Sequence, residues 1–396
     1  MSRLDLSFLE ELPRVRRLPW LRSASLFELE GRVYKAERGL GFRDTREPLL
    51  LARRWEGAAR GERVLVERLH RPEYGVINRH LLSDTDLALR LKHPTLQRLL
   101  QMAEHGERLY AVWEYTEGRS LASLLGLAPL FGPPFLPPEV ACFIAAQVAD
   151  ALHLLHTRTE AAGAPPGPRH GEVRPALIRL GWEGRVQLAG FGTRWSRLVG
   201  RHDFARHWDR DMREDSFYRD PAGEPEDRHA GRADLYALAV VLLEMLRGLP
   251  PWVGLEQVEP RTRGFSWKKG LHPRSVEQAL GRLRLQEELA CLVLKALQPE
   301  PGQRFQSAHE LGQRLRMFAC GEQRAADALC QLTRQGVELA AAGGDPEADV
   351  LEHLERERRR WLASMRASQS PWPYLRAWLL RPGRWWWLRR RLGASS

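Results

Sequence analysis

Apolar and polar positions alternate in short runs near the start of the chain and recur at helical spacing later on. Short runs rich in β-branched, aromatic and other apolar residues at GRVYKA (Gly31–Ala36), VLVERL (Val64–Leu69) and LYAVW (Leu109–Trp113) read as strands. Between the first two lies a stretch, residues 37–62, longer than a hairpin turn needs; it holds a strand-like LLLA (Leu49–Ala52) and a Gly-rich GAARGE. A helix is expected between about Val76 and Leu91. Apolar residues then recur densely from Val140 to His156, the pattern of a buried helix. Two Pro-rich stretches, PLFGPPFLPPE (Pro129–Glu139) and TEAAGAPPGP (Thr159–Pro168), punctuate the middle as loops. From Ala233 onward the chain reads mostly as helix. A helix-like stretch runs past residue 319 to about Ala342, and GGDP (Gly343–Pro346) breaks it. Asp345-Pro346 then precedes a fresh helical run with acids in its first turn and arginines crowding its end, as the helix dipole favours. Residues 1–23 read as a short amphipathic helix and a linker. No internal repeat is visible.

Composition narrows this picture. The 396 residues allow two lobes and a modest extension, and the net charge of +11 rests on arginine, since only five lysines occur: Lys35, Lys92, Lys268, Lys269 and Lys295. Cys142, Cys291, Cys320 and Cys330 lack C-x-x-C spacing, which argues against a metal or disulfide framework and fits a reducing cytoplasm. The acids Asp5, Glu10 and Glu11 are foreign to a signal peptide, and no run reaches the roughly 18 uninterrupted apolar residues of a membrane span.

The chemistry-bearing stretch is HGEVRPALIRLGWEGRVQLAGFGT (His170–Thr193). Together with GRVYKA, VLVERL, LKHPTL (Leu91–Leu96), LYAVWEYTEGRSLASLL (Leu109–Leu125), ADLYALAVVLLEMLRGLPPW (Ala233–Trp252) and EPGQRFQSAHEL (Glu300–Leu311), it resembles, in sequence order, the eukaryotic-like Ser/Thr protein kinases of bacteria over about residues 24–318. The resemblance implies an α+β, two-lobed protein-kinase-like fold: a small β-rich N-lobe at 24–115 and a helical C-lobe at 116–318. A helical extension at 319–366 and a basic tail at 367–396 would follow.

Carried over residue by residue, the resemblance puts unusual side chains at the nucleotide site. The first two glycines of the phosphate loop fall on Leu26 and Glu28, and only Gly31 matches a family glycine, where an ordinary hairpin glycine is the simpler reading. The family's strand lysine, which pairs with the phosphates and with a glutamate of the family helix called αC, falls on Glu67, or on Ala52 in an alternative register. Asp84 stands at the αC glutamate. Val33, Glu114 and Tyr115 fall on further positions of the nucleotide site, and Trp113 falls on the gatekeeper, where its bulk would narrow the pocket. In H-R-D-L-x-x-x-N, His170 keeps the first place, Gly171 replaces the arginine, Glu172 stands for the base, Arg174 for the phosphate-contacting lysine, and Leu177 for the metal-binding asparagine. Gly190 replaces the D-F-G aspartate. Neither leucine nor glycine offers the oxygen donors that Mg²⁺ requires. His170, Phe191, Asp234 and Arg304 match positions that hold the family's architecture. The usual partner of Arg304 is missing from Asp220-Pro221-Ala222, and Glu224 is the expected stand-in.

These positions imply a pseudokinase that scaffolds or allosterically regulates another protein, itself a kinase or an assembly component, with no metal and no cofactor expected. The rival is an active, non-standard Ser/Thr kinase using Mg·ATP, Glu172 as base and Lys35 as a displaced lysine. The last thirty residues carry six Arg, five Trp and no acid. In them Trp378, Trp385, Trp386, Trp387, Arg389, Arg390 and Arg391 suit a peripheral membrane contact or protein docking on a cytoplasmic protein. Packing of these Trp onto the C-lobe is the bland reading. Nucleic acid ranks last, because no recognised binding motif accompanies the charge.

Overall fold

The alternating runs pair into an antiparallel sheet. Its strands are β1 (Arg16–Arg17), β2 (Ser25–Leu29), β3 (Arg32–Phe42), β4 (Pro48–Arg54), β5 (Arg63–Leu69), β6 (Leu99–His105) and β7 (Arg108–Glu114). The computed structural model describes residues 16–17, 25–42, 48–55, 61–70, 75–105, 108–126, 136–158, 168–196, 217–222, 230–251, 253–255, 271–319, 323–324 and 326–331. The chain divides into two units, residues 1–117 with 187–212 and residues 118–186 with 213–396. Of the helix expected over 1–23, only Arg16 and Arg17 are described, and they form a strand against β2.

In the first unit the strand order is β1-β2-β3-β4-β5-β7-β6. The stretch expected to be an insert supplies a full strand, β4, within the sheet between β3 and β5. Its apolar run fits a strand covered on both faces, since Leu50, Leu51 and Ala52 are all buried. On one face Leu29, Tyr34, Leu50, Ala52, Val64, Val66, Ala103, Tyr110 and Val112 form a core. The sheet coils around that core until distant strands meet. Tyr34 Oη donates to Gln101 Oε1 at 2.7 Å, Gln101 Nε2 donates to the Leu29 carbonyl at 3.3 Å, and the Glu104 N–H donates to Glu30 at 3.1 Å. Helix α1 (Gly75–Arg90) completes the unit, close to the expected bounds.

The second unit is mostly helical. β8 (Gly118–Ser120) pairs with β9 (Ile178–Gly181), and the chain leaves this unit through β10 (Val186–Leu188). Its helices are α2 (Leu121–Gly126), α3 (Pro138–Thr157), α4 (Ala230–Arg247), α5 (Pro273–Gly281), α6 (Glu287–Ala296) and α7 (Ala308–Arg316). α3 is long and apolar enough to cross a membrane by composition, yet most of it is buried within the unit, as befits a helix apolar on nearly every side. α7 packs closely on it: a Cβ on Gly312 would stand 3.3 Å from that of Ala149. Beyond α7, residues 326–331 are helical and lie on the turn after β9, where Cys330 Sγ donates to the Trp182 carbonyl at 3.0 Å. The tail residues Trp378, Trp385–Trp387 and Arg389–Arg391 lie outside the described residues.

Candidate functional site

In the first unit the site positions begin at the β2–β3 turn. The pair Leu29↔Arg32 closes a two-residue hairpin in which Glu30 and Gly31 both take positive φ, +47° and +77°. That geometry is a tight β-turn with glycine at the place that favours it, rather than a wide loop of exposed N–H groups. Glu28 pairs with Val33, Leu51 with Leu65, and Leu65 with Trp113, so one sheet face carries all of these in turn. Because β4 intervenes, the strands of Val33 and Leu65 are two apart, about 9–10 Å between strand axes at the usual spacing, and the register offsets the two residues further along the strands. Lys35 shares that face and pairs with Arg53.

Glu67 is 1 % exposed and accepts a hydrogen bond from Trp113 Nε1 at 2.9 Å; the indole is itself fully buried. Glu67 and Trp113, expected at the lysine and gatekeeper positions, thus hold each other. Arg68 alternates to the other face. Asp84 on α1 accepts from Trp195 Nε1 at 3.0 Å. Trp195 stacks on His80 at 5.4 Å, and the Arg194 guanidinium lies 4.2 Å over its ring. Gly190 and Gly192 have φ of +86° and +89°, and a Cβ on Gly192 would stand 2.8 Å from Ala88 Cβ and 2.9 Å from the Asp84 carbonyl. The buried Phe191 and the short turn after it are therefore seated on α1. At the end of β7, the Glu114 carbonyl accepts from Gln97 Nε2 at 2.9 Å and its N–H donates to Arg98 at 3.0 Å. Its carboxylate accepts from the fully buried Gln187, whose own amide oxygen accepts from Thr116. Tyr115 beside it is half-buried. Gln97 and Gln187 were missed by sequence reasoning. The available signal was a lone Gln in an apolar strand, Val186-Gln187-Leu188, since a buried amide must find partners.

In the second unit the Asp234 carboxylate gathers three donors. Oδ2 accepts from the His170 N–H at 2.8 Å and from His156 Nε2 at 2.9 Å, and Oδ1 accepts from the Gly171 N–H at 2.8 Å. Burial would raise the Asp234 pKa, but the hydrogen bond and charge of His156, with the His170 ring and the Gly171 N–H, outweigh it and hold the group below its ordinary value. Gly171 has φ +76°, which suits glycine at the place of the family's arginine. Glu172 is 8 % exposed, its N–H donates to His170 Nδ1, and its Oε2 lies 3.6 Å from Arg174 Nη2. Pro175–Leu177 form a 3₁₀ turn, with Leu177 buried. Arg304 pairs bidentately with Asp220 at 2.7 Å for both nitrogens, and Tyr236 lies under its guanidinium at 4.8 Å. This corrects the expectation of Glu224, which lies outside the described residues: the carboxylate has moved to the residue before the proline, and the arginine fork fits it there. Burial pushes the Tyr236 hydroxyl up to about 12.

Among the described residues no group of three or more His, Cys, Asp or Glu is placed to hold a metal ion. The buried Glu172 carboxylate can accept a proton in principle, but its near neighbour is a guanidinium.

Three comparisons bear on identity. The family described as protein kinase domain matches residues 69–314. The chain is similar to a probable serine/threonine-protein kinase of Clostridium perfringens, CPE1738, at 27% identity over 56% of this chain and 29% of that protein. It is similar to the serine/threonine-protein kinase PknB of Mycobacterium leprae at 26% identity over 70% of this chain and 43% of that one. The chain spans less than half the length of these curated relatives. Among solved structures, the kinase domain of PknI from Mycobacterium tuberculosis aligns with a TM-score of 0.51 and 23% identity, over 74% of this chain and 98% of that domain. At that identity the likeness speaks to fold alone.

Proposed function

We propose that this chain, which belongs to the protein kinase domain family, works as a pseudokinase: a binding protein that scaffolds or regulates another protein without efficient phosphoryl transfer. One observation carries the reading. The position of the phosphate-binding lysine holds Glu67, buried and bonded to the Trp113 indole. A carboxylate there repels phosphate where the family attracts it, and no swing of the side chain reverses its sign.

Other features support the same conclusion. Asp84 binds Trp195, so the helix residue that would complete an activating ion pair is occupied elsewhere. The hairpin at Glu30-Gly31 is tight, and β4 separates it from the strand of Glu67. Gly190 and Leu177 offer Mg²⁺ no ligand. Phosphoryl transfer depends almost wholly on positioning and charge neutralisation, and removing one such group typically costs about 3–4 kcal/mol of transition-state stabilisation. By contrast the Asp234 and Arg304 clusters, which hold the fold, are complete. Retained architecture with altered chemistry suits a protein that presents surfaces. Its partner is another protein. The Arg/Trp-rich tail at 367–396 adds a cationic, aromatic segment suited to an anionic membrane or an acidic protein face.

The test is transfer of labelled phosphate from Mg·ATP to the chain itself and to a generic basic protein. The expected result is no turnover above that of Glu172→Ala. Transfer that Glu172→Ala abolishes would favour the rival reading, an active kinase built on Glu172 and Lys35.

A further inference from the structure

Away from the candidate site, α3 and α7 bring two histidines face to face. The imidazole centres of His153 and His309 stand 5.1 Å apart with their planes 40° from parallel. His309 is exposed and His153 half-buried, so solvent reaches the pair from one side. Two imidazoles bound to one tetrahedral ion through nitrogens at about 2.0–2.1 Å have their ring centres roughly 5 Å apart. The ring spacing of the pair falls at that value.

We infer that His153 and His309 form a two-histidine site for a divalent transition ion of the class that imidazole favours, Zn²⁺ or Ni²⁺, with water completing its coordination. Two features of the surroundings support it. The backbones are fixed, since Gly312 packs against Ala149 between the same helices. The Asp150–Arg316 ion pair clamps the same two helices. His156 is held by Asp234 and does not compete. A bound ion would cross-link α3 to α7 and so stabilise the second unit, because it binds the folded arrangement and not the unfolded chain.

The test compares metal-induced thermal stabilisation of the full chain and of His309→Ala, in chelator-treated buffer with Zn²⁺ or Ni²⁺ alone. The chain has thirteen histidines, so the difference between the two proteins is the readout rather than binding as such. The expected result is a rise in melting temperature for the wild type that His309→Ala loses, with affinity by calorimetry down about tenfold or more. His309→Cys should restore the response to Zn²⁺, because a thiolate is also a ligand. The rise should weaken as pH falls, because a ligand must shed its proton to bind the ion. An equal rise in wild type and His309→Ala, or none in either, overturns the inference. Neither outcome touches the pseudokinase reading, which rests on other residues.

Discussion

On the proposed reading, Gly190→Asp, which places an aspartate where D-F-G would have one, should damage the protein rather than revive it. Gly190 is buried and has φ +86°, a region where a side chain costs about 1–2 kcal/mol. The substitution also buries a carboxylate that, on the proposed reading, Mg²⁺ does not neutralise. Leaving a buried polar group unsatisfied costs about 1–3 kcal/mol more. The sum is a loss of roughly 2–5 kcal/mol, with Gly190→Ala isolating the backbone share of about 1–2 kcal/mol. Urea unfolding of the three proteins, with and without millimolar Mg²⁺, measures both parts. The reasoning requires Gly190→Asp to lose clearly more stability than Gly190→Ala, and Mg²⁺ to recover none of it. A Gly190→Asp protein as stable as the wild type, or one rescued by Mg²⁺, would refute the claim that this segment is built for packing.

Further outcomes are equally open to measurement. Asp220→Asn should cost about 3–5 kcal/mol in denaturant unfolding, because it leaves a buried guanidinium without its countercharge; Glu224→Gln should change stability by less than about 0.5 kcal/mol, and the reverse order would restore Glu224 as the partner. The folded pKa of Asp234 lies below its unfolded value, so its contribution is complete above roughly pH 4 and drains away as pH falls further through the folded pKa. Acid unfolding curves should therefore lose this component in Asp234→Asn, and an unchanged acid limb would contradict it. Trp195→Phe keeps the stack on His80 but removes the bond to Asp84, and should cost about 1 kcal/mol by the same urea assay. Co-sedimentation with anionic liposomes should fall when residues 367–396 are removed; equal sedimentation would leave protein docking or packing onto the C-lobe as the tail's role.

The fold was legible because its signals are periodic and ordered. The runs at 64–69 and 109–113 became β5 and β7, and the dense apolar spacing after Val140 became the buried α3. Strand β4 was half visible: LLLA announced a strand, but only the pairing with both β3 and β5 shows that it lies inside the sheet. A strand's neighbours depend on long-range pairing, which local pattern does not encode. Side-chain partnerships were harder still. Glu67 and Trp113 are 46 positions apart and Asp84 and Trp195 are 111 apart, so no spacing rule joins them. Trp113 was read only as bulk, although a buried indole N–H needs an acceptor, and Trp195 drew no reading at all. The Arg304 partner was misread because the motif was matched by position, whereas the guanidinium selects whichever carboxylate reaches it.

The central claim is that the nucleotide site does not bind Mg·ATP, and a thermal-shift titration of the full chain tests it most directly. ATP is added up to millimolar concentration, with and without Mg²⁺. The expected result is a melting temperature that Mg²⁺ leaves unchanged at every ATP concentration. A saturable rise that requires both ATP and Mg²⁺ would contradict the account, because a ligand that binds only the folded state must raise its stability.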